Sequence, residues 1–121
     1  MTIPFVAIVD DDPQLCASLG DLMQAIGYRA KPFASAEAFL LSASLRSFNC
    51  IIADVHMPGM GGLNLVRELQ VQDITTPVIL ITALPGEHLE REAISLGALC
   101  LLRKPFEISA LLGCVEKGLR Q

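Results

Sequence analysis

The strongest constraint on the fold of this chain is a repeated change in the spacing of its apolar residues. Five short apolar runs have the length and composition of β-strands, and several of their residues are β-branched. Each run is followed by a segment with apolar residues three or four positions apart, which is the spacing of a helix. The five runs are Ile3 to Val9, Tyr28 to Phe33, Cys50 to Ala53, Pro77 to Ile81 and Leu99 to Leu102.

The helical segments carry signals at their ends. Pro13 suits the first turn of the first helix, and Gly27 suits the position just after its last residue. Ser35 can cap the second helix, and Gly97 can close the fourth. The inner faces predicted for the second to fifth helices are Ala36, Phe39, Leu40 and Ala43; Leu63, Val66 and Leu69; Leu89, Ala93 and Leu96; and Ile108, Leu111, Leu112, Val115 and Leu119.

Alternating strands and helices predict an α/β fold. A parallel sheet with right-handed crossovers is the expected arrangement, and strands that are almost wholly apolar favour helices on both faces of a doubly wound sheet. With 121 residues and neither a linker nor an internal repeat, we expect one domain over residues 1–121. Sheets of this kind carry their functional site outside the carboxyl ends of the strands.

Composition excludes several classes of protein. Hydrophobic residues make up 52% of the chain and charged residues 18%, so the chain has enough apolar surface for a core and is not disordered. No apolar run approaches the ~18 residues of a membrane span, and no basic stretch precedes the N-terminal run as in a signal peptide. A net charge of −4 argues against direct nucleic-acid binding by this chain. The expected location is therefore the cytoplasm, with no membrane partner.

The four cysteines fit that location. Cys16, Cys50, Cys100 and Cys114 include no Cys-x-x-Cys pair, and each has apolar neighbours. We interpret all four as reduced, buried small side chains.

Polar residues follow four of the five predicted strands. The carboxyl ends of parallel strands meet at one edge of the sheet, so these residues are expected to share a cleft. They include four of the six aspartates in the chain. In chain order they are the triplet Asp10-Asp11-Asp12, then Asp54, then Thr82, then Arg103-Lys104-Pro105.

Each of these residues also has an ordinary structural interpretation. An aspartate triplet before a helix can be a capping cluster, since helix N-termini favour acids. Asp54 and Thr82 can be turn residues, and Lys104 can be a solvated loop lysine. Their joint position at separate strand ends favours a shared site instead. His56 and His88 are weaker signals, and we interpret both side chains as exposed.

Converging carboxylates point to a bound cation. They repel one another, and their pKa values rise unless positive charge offsets them, which a divalent metal and Lys104 can supply. Mg²⁺ fits best, because it takes one or two carboxylates, a carbonyl and waters. No histidine and cysteine set has zinc-ligand spacing. The aspartate triplet, followed by Pro13, also lacks the spacing and distal glutamate of an EF-hand.

These motifs resemble those of a response-regulator receiver domain of bacterial two-component systems. The resemblance covers essentially the whole chain and implies a flavodoxin-like (βα)5 sheet with strand order 2-1-3-4-5. A weaker match, Ser35 to Leu40, is similar to the FixJ-type subgroup. The main matching stretches are Val9 to Asp12, Asp54 to Gly62, Ile81 to Ala83 and Lys104 to Phe106.

The resemblance implies a phosphoryl acceptor and a metal site. Asp54 would accept a phosphoryl group from a sensor histidine kinase. Mg²⁺ would bind Asp11, Asp54 and the backbone carbonyl of His56 directly, and Asp10 through a water. The chain would then be a signalling phosphoacceptor, not an enzyme, that catalyses only its own phosphorylation and dephosphorylation.

The resemblance also implies which residues bind phosphate. Thr82, the backbone N–H of Ala83 and Lys104 would contact the phosphoryl oxygens, and a cis bond before Pro105 would aim the lysine inward.

One position departs from the family pattern. Receiver domains usually have Tyr or Phe three residues before the lysine, and the inward movement of the threonine is coupled to rotation of that ring. Here Thr82 is present, but the ring position is Leu101, which has neither a ring nor a hydroxyl. The usual switch therefore lacks one of its two side chains, while the phosphorylation chemistry keeps all of its groups.

Two alternatives remain open at this point. A haloacid-dehalogenase-like phosphatase would use Asp10, Asp12, Thr82 and Lys104, but that interpretation leaves Asp54 without a role and lacks an acidic pair after the lysine. A pseudo-receiver would bind partners without phosphate, although none of the expected reactive residues is missing.

The expected output surface consists of the fourth helix, the fifth strand and the fifth helix. It would include Leu89, Ile94, Leu101 and residues near Cys114. An apolar edge strand invites a partner. We therefore expect a homodimer through this face, or docking of an output domain beyond Gln121, since FixJ-type receivers usually precede a DNA-binding domain.

Overall fold

The computed structural model describes residues 3–120, so Met1, Thr2 and Gln121, which the predicted domain 1–121 includes, lie outside the described residues. Five parallel strands form one sheet in the order β2-β1-β3-β4-β5, which confirms the predicted fold class and strand order. The strands are β1 (Phe5–Val9), β2 (Arg29–Phe33), β3 (Cys50–Asp54), β4 (Val78–Thr82) and β5 (Cys100–Arg103). The helices are α1 (Pro13–Ala25), α2 (Ala36–Leu40), α3 (Gly62–Val71), α4 (Glu87–Ser95) and α5 (Ile108–Leu119).

Helices cover both faces of the sheet, and each face has its own core. On one face α1 and α5 bury Met23, Leu111 and Val115 against alternate strand residues. On the other face α2, α3 and α4 do the same with such residues as Phe39 and Leu65. The three central strands are buried along almost their whole length, as near-continuous apolar runs predict.

The two edge strands are less buried than the three central strands. Only Phe33 of β2 is buried. Arg29 and Lys31 lie on the same face of the strand as Phe33, but they are exposed at the edge of the sheet. The four residues of β5 are half-buried. Helices cover both faces of the sheet as predicted, and the exposed or half-buried positions belong to the two edge strands.

Several boundaries and one element differ from the prediction. The first two strands begin at Phe5 and Arg29, later than expected. The second helix ends at Leu40, so Ala43 does not belong to its inner face, and a 3₁₀ turn (Leu45–Ser47) follows it. Such short turns leave no apolar period in the sequence.

The cysteines are all free thiols, but only two of them are buried as expected. Cys16 and Cys50 lie in the core, whereas Cys100 and Cys114 are half-buried at the β5 edge, where no further strand covers them. None of the helices within residues 3–120 is long and apolar enough to cross a membrane.

Candidate functional site

Four polar side chains converge at the carboxyl edge of the sheet. Asp54 ends β3, the central strand, and Thr82 ends β4 beside it. Asp10 directly follows β1, and Lys104 directly follows β5. Asp10, Asp54 and Thr82 are 4%, 7% and 0% exposed, and such deep burial of two carboxylates and a hydroxyl requires hydrogen-bond or charge partners.

The main partner is Lys104. Its Nζ donates a hydrogen bond of 2.9 Å to Oδ2 of Asp54 and lies 3.8 Å from Oδ2 of Asp10. Burial works against the lysine charge, but the hydrogen bond and charge of Asp54, helped by Asp10, outweigh it and raise the pKa of Lys104. The ammonium therefore stays charged at neutral pH and offsets part of the negative charge of the cleft.

That offset is incomplete at Asp10. Burial is the main cause that raises the pKa of its carboxyl to about 6, and the nearby charge of Asp54 adds to the effect. A hydrogen bond from the backbone N–H of Asp12, 2.9 Å from Oδ1, and the charge of Lys104 act in the opposite direction. A further cation in the cleft would therefore favour the ionised form of Asp10.

The loop after β3 approaches Asp54 closely. The backbone N–H of His56 donates a 2.8 Å hydrogen bond to Oδ1 of Asp54, which fixes the carboxylate between a backbone group and Lys104. A Cβ on Gly62 would lie 2.6 Å from the backbone oxygen of Asp54, so only glycine fits there. Both ends of this loop, at His56 and at Gly62, therefore lie against Asp54.

A contact that sequence analysis missed also holds this loop. Glu37, in the first turn of α2, accepts a 3.1 Å hydrogen bond from the backbone N–H of Met60. Its carboxylate lies under Gly59, where a Cβ would come within 2.3 Å of Oε2, and Gly59 has φ +76°. The glycines of the loop were a visible signal, but nothing in the sequence links them to Glu37.

The other aspartates of the triplet have different positions. Asp12 caps α1, since Oδ1 accepts hydrogen bonds from the backbone N–H groups of Gln14 and Leu15. Asp11 is exposed beside the cleft. The capping interpretation thus applies to Asp12, and the phosphatase alternative, which needs Asp12 as a reactive group, does not fit this geometry.

The donors of the cleft suit a hard cation that keeps several waters. Among residues 3–120 no three His, Cys, Asp or Glu side chains form a ready-made metal cage, so Asp10, Asp11 and Asp54 do not together enclose an ion. Carboxylate and carbonyl oxygens supplemented by water are the ligands that Mg²⁺ accepts. The raised pKa of the buried Asp10 carboxyl is the feature of the site that one more cation would relieve.

Thr82 and its neighbours form the side of the cleft next to β5. The Thr82 hydroxyl accepts a 3.1 Å hydrogen bond from the backbone N–H of Leu84, and its carbonyl accepts one of 2.7 Å from the backbone N–H of Lys104. Ala83 is exposed, so no side chain blocks its backbone. The peptide bond between Lys104 and Pro105 is cis.

Leu101, at the usual ring position, faces the core on the α4 side of the sheet. It is half-buried and packs against the apolar cluster there, beside Leu80 of β4. Two positions along the same face, Arg103 donates a 2.6 Å hydrogen bond from Nη2 to the backbone oxygen of Gly86. The sequence placed Arg103 at the strand end but assigned it no role.

The model of a protein family described as "Response regulator receiver domain" matches residues 6–116 of this chain. The chain belongs to the receiver domain family. Receiver domains of response regulators are signalling proteins and not enzymes in the usual sense. The match covers every residue of the cleft described above, and it decides against the phosphatase alternative.

Individual relatives show which receiver domains this chain is similar to in sequence. The receiver domain is 34% identical over 116 residues to the transcriptional regulatory protein FixJ of Bradyrhizobium diazoefficiens, which covers 96% of this chain and 57% of that protein. It is 36% identical over 115 residues to the response regulator protein TmoT of Ectopseudomonas mendocina, covering 95% and 52%. The chain thus spans about half the length of these curated relatives. The predicted FixJ-type resemblance is confirmed.

Solved structures agree with the fold. The crystal structure of FixJ-N has a TM-score of 0.88 and 30% identity, covering 100% of this receiver domain and 97% of that chain. The Vibrio cholerae chemotaxis protein CheY4 also gives a TM-score of 0.88, with 28% identity over 98% of this chain and 100% of that one.

Proposed function

We propose that this receiver domain takes a phosphoryl group from a phosphohistidine of a sensor kinase onto Asp54. The observation that carries the proposal is the 2.9 Å contact between Lys104 Nζ and Asp54 Oδ2 at the end of the central strand. It holds a carboxylate and a cation together in the cleft, with the Thr82 hydroxyl at the end of the adjacent strand.

The chain's own groups supply positioning and charge. In the transfer, a carboxylate oxygen of Asp54 forms a bond to phosphorus while the bond from phosphorus to the histidine nitrogen breaks. A carboxylate is a weak nucleophile, but phosphoryl transfer depends mainly on alignment and charge neutralisation. As negative charge develops on the phosphoryl group, the Lys104 ammonium would exchange its contact with Asp54 for one with a phosphoryl oxygen. The Thr82 hydroxyl and the Ala83 N–H would bind the other oxygens.

We further propose Mg²⁺ as the cofactor. Asp11, Asp54 and the His56 carbonyl would hold it directly and Asp10 through a water; when bound, the ion neutralises phosphate charge. Support comes from the buried Asp10 carboxyl, whose pKa is raised mainly by burial and further by the charge of Asp54, so that a nearby cation would favour its ionised form.

The relatives support a proposal about partners and location. FixJ is named a transcriptional regulatory protein and is nearly twice as long as the matched region, so we propose that a longer form of this regulator carries an output domain. Phosphorylation on Asp54 would then control self-association or docking through α4, β5 and α5, in the cytoplasm, where transcription takes place.

Acetyl phosphate, a small phosphoryl donor, tests the proposal without a kinase. With Mg²⁺ present, intact-mass measurement should detect one added phosphoryl group on the wild type and none on Asp54→Asn. The matched control is Asp21→Asn on α1, an exposed aspartate outside the cleft, which should label like the wild type. Excess EDTA should stop labelling.

Labelling of Asp54→Asn equal to that of the wild type would rule out Asp54 as the acceptor. Absence of labelling in the folded wild type would favour the pseudo-receiver alternative, in which the same surface binds partners without phosphate.

A further inference from the structure

Arg103 makes the shortest hydrogen bond between β5 and the loop that leads from β4 to α4. Its Nη2 donates to the backbone oxygen of Gly86 at 2.6 Å and lies 3.6 Å from Oε2 of Glu90. Gly86 is the residue that caps α4, and Glu90 lies in the first turn of that helix. One guanidinium therefore contacts both the cap and the first turn of α4.

Two other side chains hold this region: the Thr82 hydroxyl accepts from the backbone N–H of Leu84 in the loop, and Leu89 in the first turn packs against the core. Gly86 has no side chain, and no capping hydrogen bond forms at the start of the helix. The loop is open: Leu84 is 51% exposed, and Gly86, with φ +129°, has no atom within 4 Å of a Cβ built on it. Arg103 thus supplies the polar side-chain contact that reaches the cap residue of α4 directly.

Arg103 is also tied to the phosphate side of the cleft. It pairs with Thr82 in the register of β4 and β5, and the next residue, Lys104, donates its backbone N–H to the Thr82 carbonyl. A displacement at the end of β4 therefore reaches Arg103 across a single pair of strands.

The guanidinium is not fully satisfied in this arrangement. Nη1 of Arg103 is buried without a hydrogen-bond partner, and it is the only side-chain nitrogen or oxygen in that condition within residues 3–120. Leaving a buried donor without a partner costs free energy. A loop conformation that offers Nη1 an acceptor would therefore be favoured by the free energy of that hydrogen bond. The guanidinium charge also lies at the N-terminus of α4, the positive end of the helix dipole. This repulsion weakens the interaction of Arg103 with the start of the helix.

We propose that Arg103 is the positioning residue that transmits the state of the cleft to α4, a role that Leu101 cannot fill. The proposal rests on the proposed function, because it assumes that a group on Asp54 draws on Thr82. Movement of the β4–α4 loop would carry the Gly86 carbonyl, exchange the acceptors of Arg103, and thereby release or shift the first turn of α4.

Amide hydrogen exchange with and without beryllofluoride, a phosphate mimic used with Mg²⁺, tests this role. We would compare the wild type, Arg103→Ala and Arg103→Lys. The lysine variant keeps the positive charge but loses the planar guanidinium with its several N–H donors. Arg91→Ala removes an equally positive side chain from the exposed surface of α4 and is the matched control. Two peptides are read: the loop 83–86 and the helix Glu87–Ser95.

In the wild type and the control, beryllofluoride should change exchange in both peptides. In Arg103→Ala, the hydrogen-bonded amides of α4, from Glu90 onward, should exchange about tenfold faster at rest, as expected on losing one charge-assisted hydrogen bond. Beryllofluoride should still alter the loop but no longer α4, with Arg103→Lys in between. An α4 response in Arg103→Ala as large as in the wild type would overturn the proposal. Failure of the wild-type loop to respond at all would instead contradict the proposed function.

Discussion

The electrostatic state of Asp10 has a consequence for stability that depends on pH. The pKa of its carboxyl lies at about 6 in the folded protein and near 3.8 when exposed, so ionisation disfavours the folded state. The cost is absent below about pH 4, appears as the pH rises, and is complete above about pH 6.

We therefore predict that Asp10→Asn stabilises the metal-free protein at pH 7.5 and not at pH 4. The amide oxygen can still accept the hydrogen bond from the Asp12 N–H, so only the charge is lost. The melting temperature should rise by about 5 °C at pH 7.5. Thermal unfolding followed by circular dichroism at both pH values measures this, and 10 mM Mg²⁺ should reduce the difference by stabilising the wild type. An equal gain at both pH values would show that charge is not the cause.

At the scale of elements, two helical glycines have opposite roles. Gly62, at the start of α3, faces the backbone oxygen of Asp54 at 2.6 Å and Leu80 Cδ2 at 2.8 Å from a Cβ built on it. Gly113, in α5, has nothing within 4 Å. Substitution by alanine therefore tests close packing at Gly62 and helix propensity at Gly113.

Gly62→Ala should destabilise the fold by about 2 kcal/mol or more, because the oxygen it meets belongs to the backbone of a central strand and has little freedom to move. Gly113→Ala should stabilise it by about 0.5–1 kcal/mol, since alanine loses less backbone entropy in a helix. Chemical denaturation of the two variants beside the wild type measures both. Similar effects of the two substitutions would mean that α3 does not pack on β3 as closely as described.

The elements also show what sequence could and could not predict. The central strands and the cleft were predictable, because each apolar run ends at the polar residue that its parallel register brings to the edge. The exposure of β2 and the short α2 were missed, since apolar composition says little about the last strand of a sheet. The contacts of Glu37 with Met60 and of Arg103 with Gly86 depend on loop paths, and no residue pattern encodes those paths.

At the scale of the whole molecule, the half-buried β5 edge and α4 are the surface expected to bind a partner. Leu101 is not the best probe of that surface, because it packs against the core and a charge there would also disturb the fold. Ile94 of α4 is 49% exposed and lies outside the core clusters, so it separates association from stability.

We predict that beryllofluoride with Mg²⁺ shifts the wild type toward a dimer and that Ile94→Glu removes this shift. Val71→Glu, an equally radical change at a 76% exposed position on α3, should dimerise like the wild type. Sedimentation velocity over a range of concentrations measures the shift. If Ile94→Glu still dimerises on activation, the interface does not include the exposed side of α4.

The contact between Lys104 and Asp54 joins residues 50 positions apart in the chain. During synthesis Asp54 therefore leaves the ribosome well before the lysine that pairs with it, by roughly 3–10 s at ordinary elongation rates. A nascent or truncated chain that ends before β5 has the aspartate without its cation and without the neighbouring edge strand. If Asp54 is the acceptor, as proposed, such a chain lacks the lysine charge that phosphoryl transfer would use.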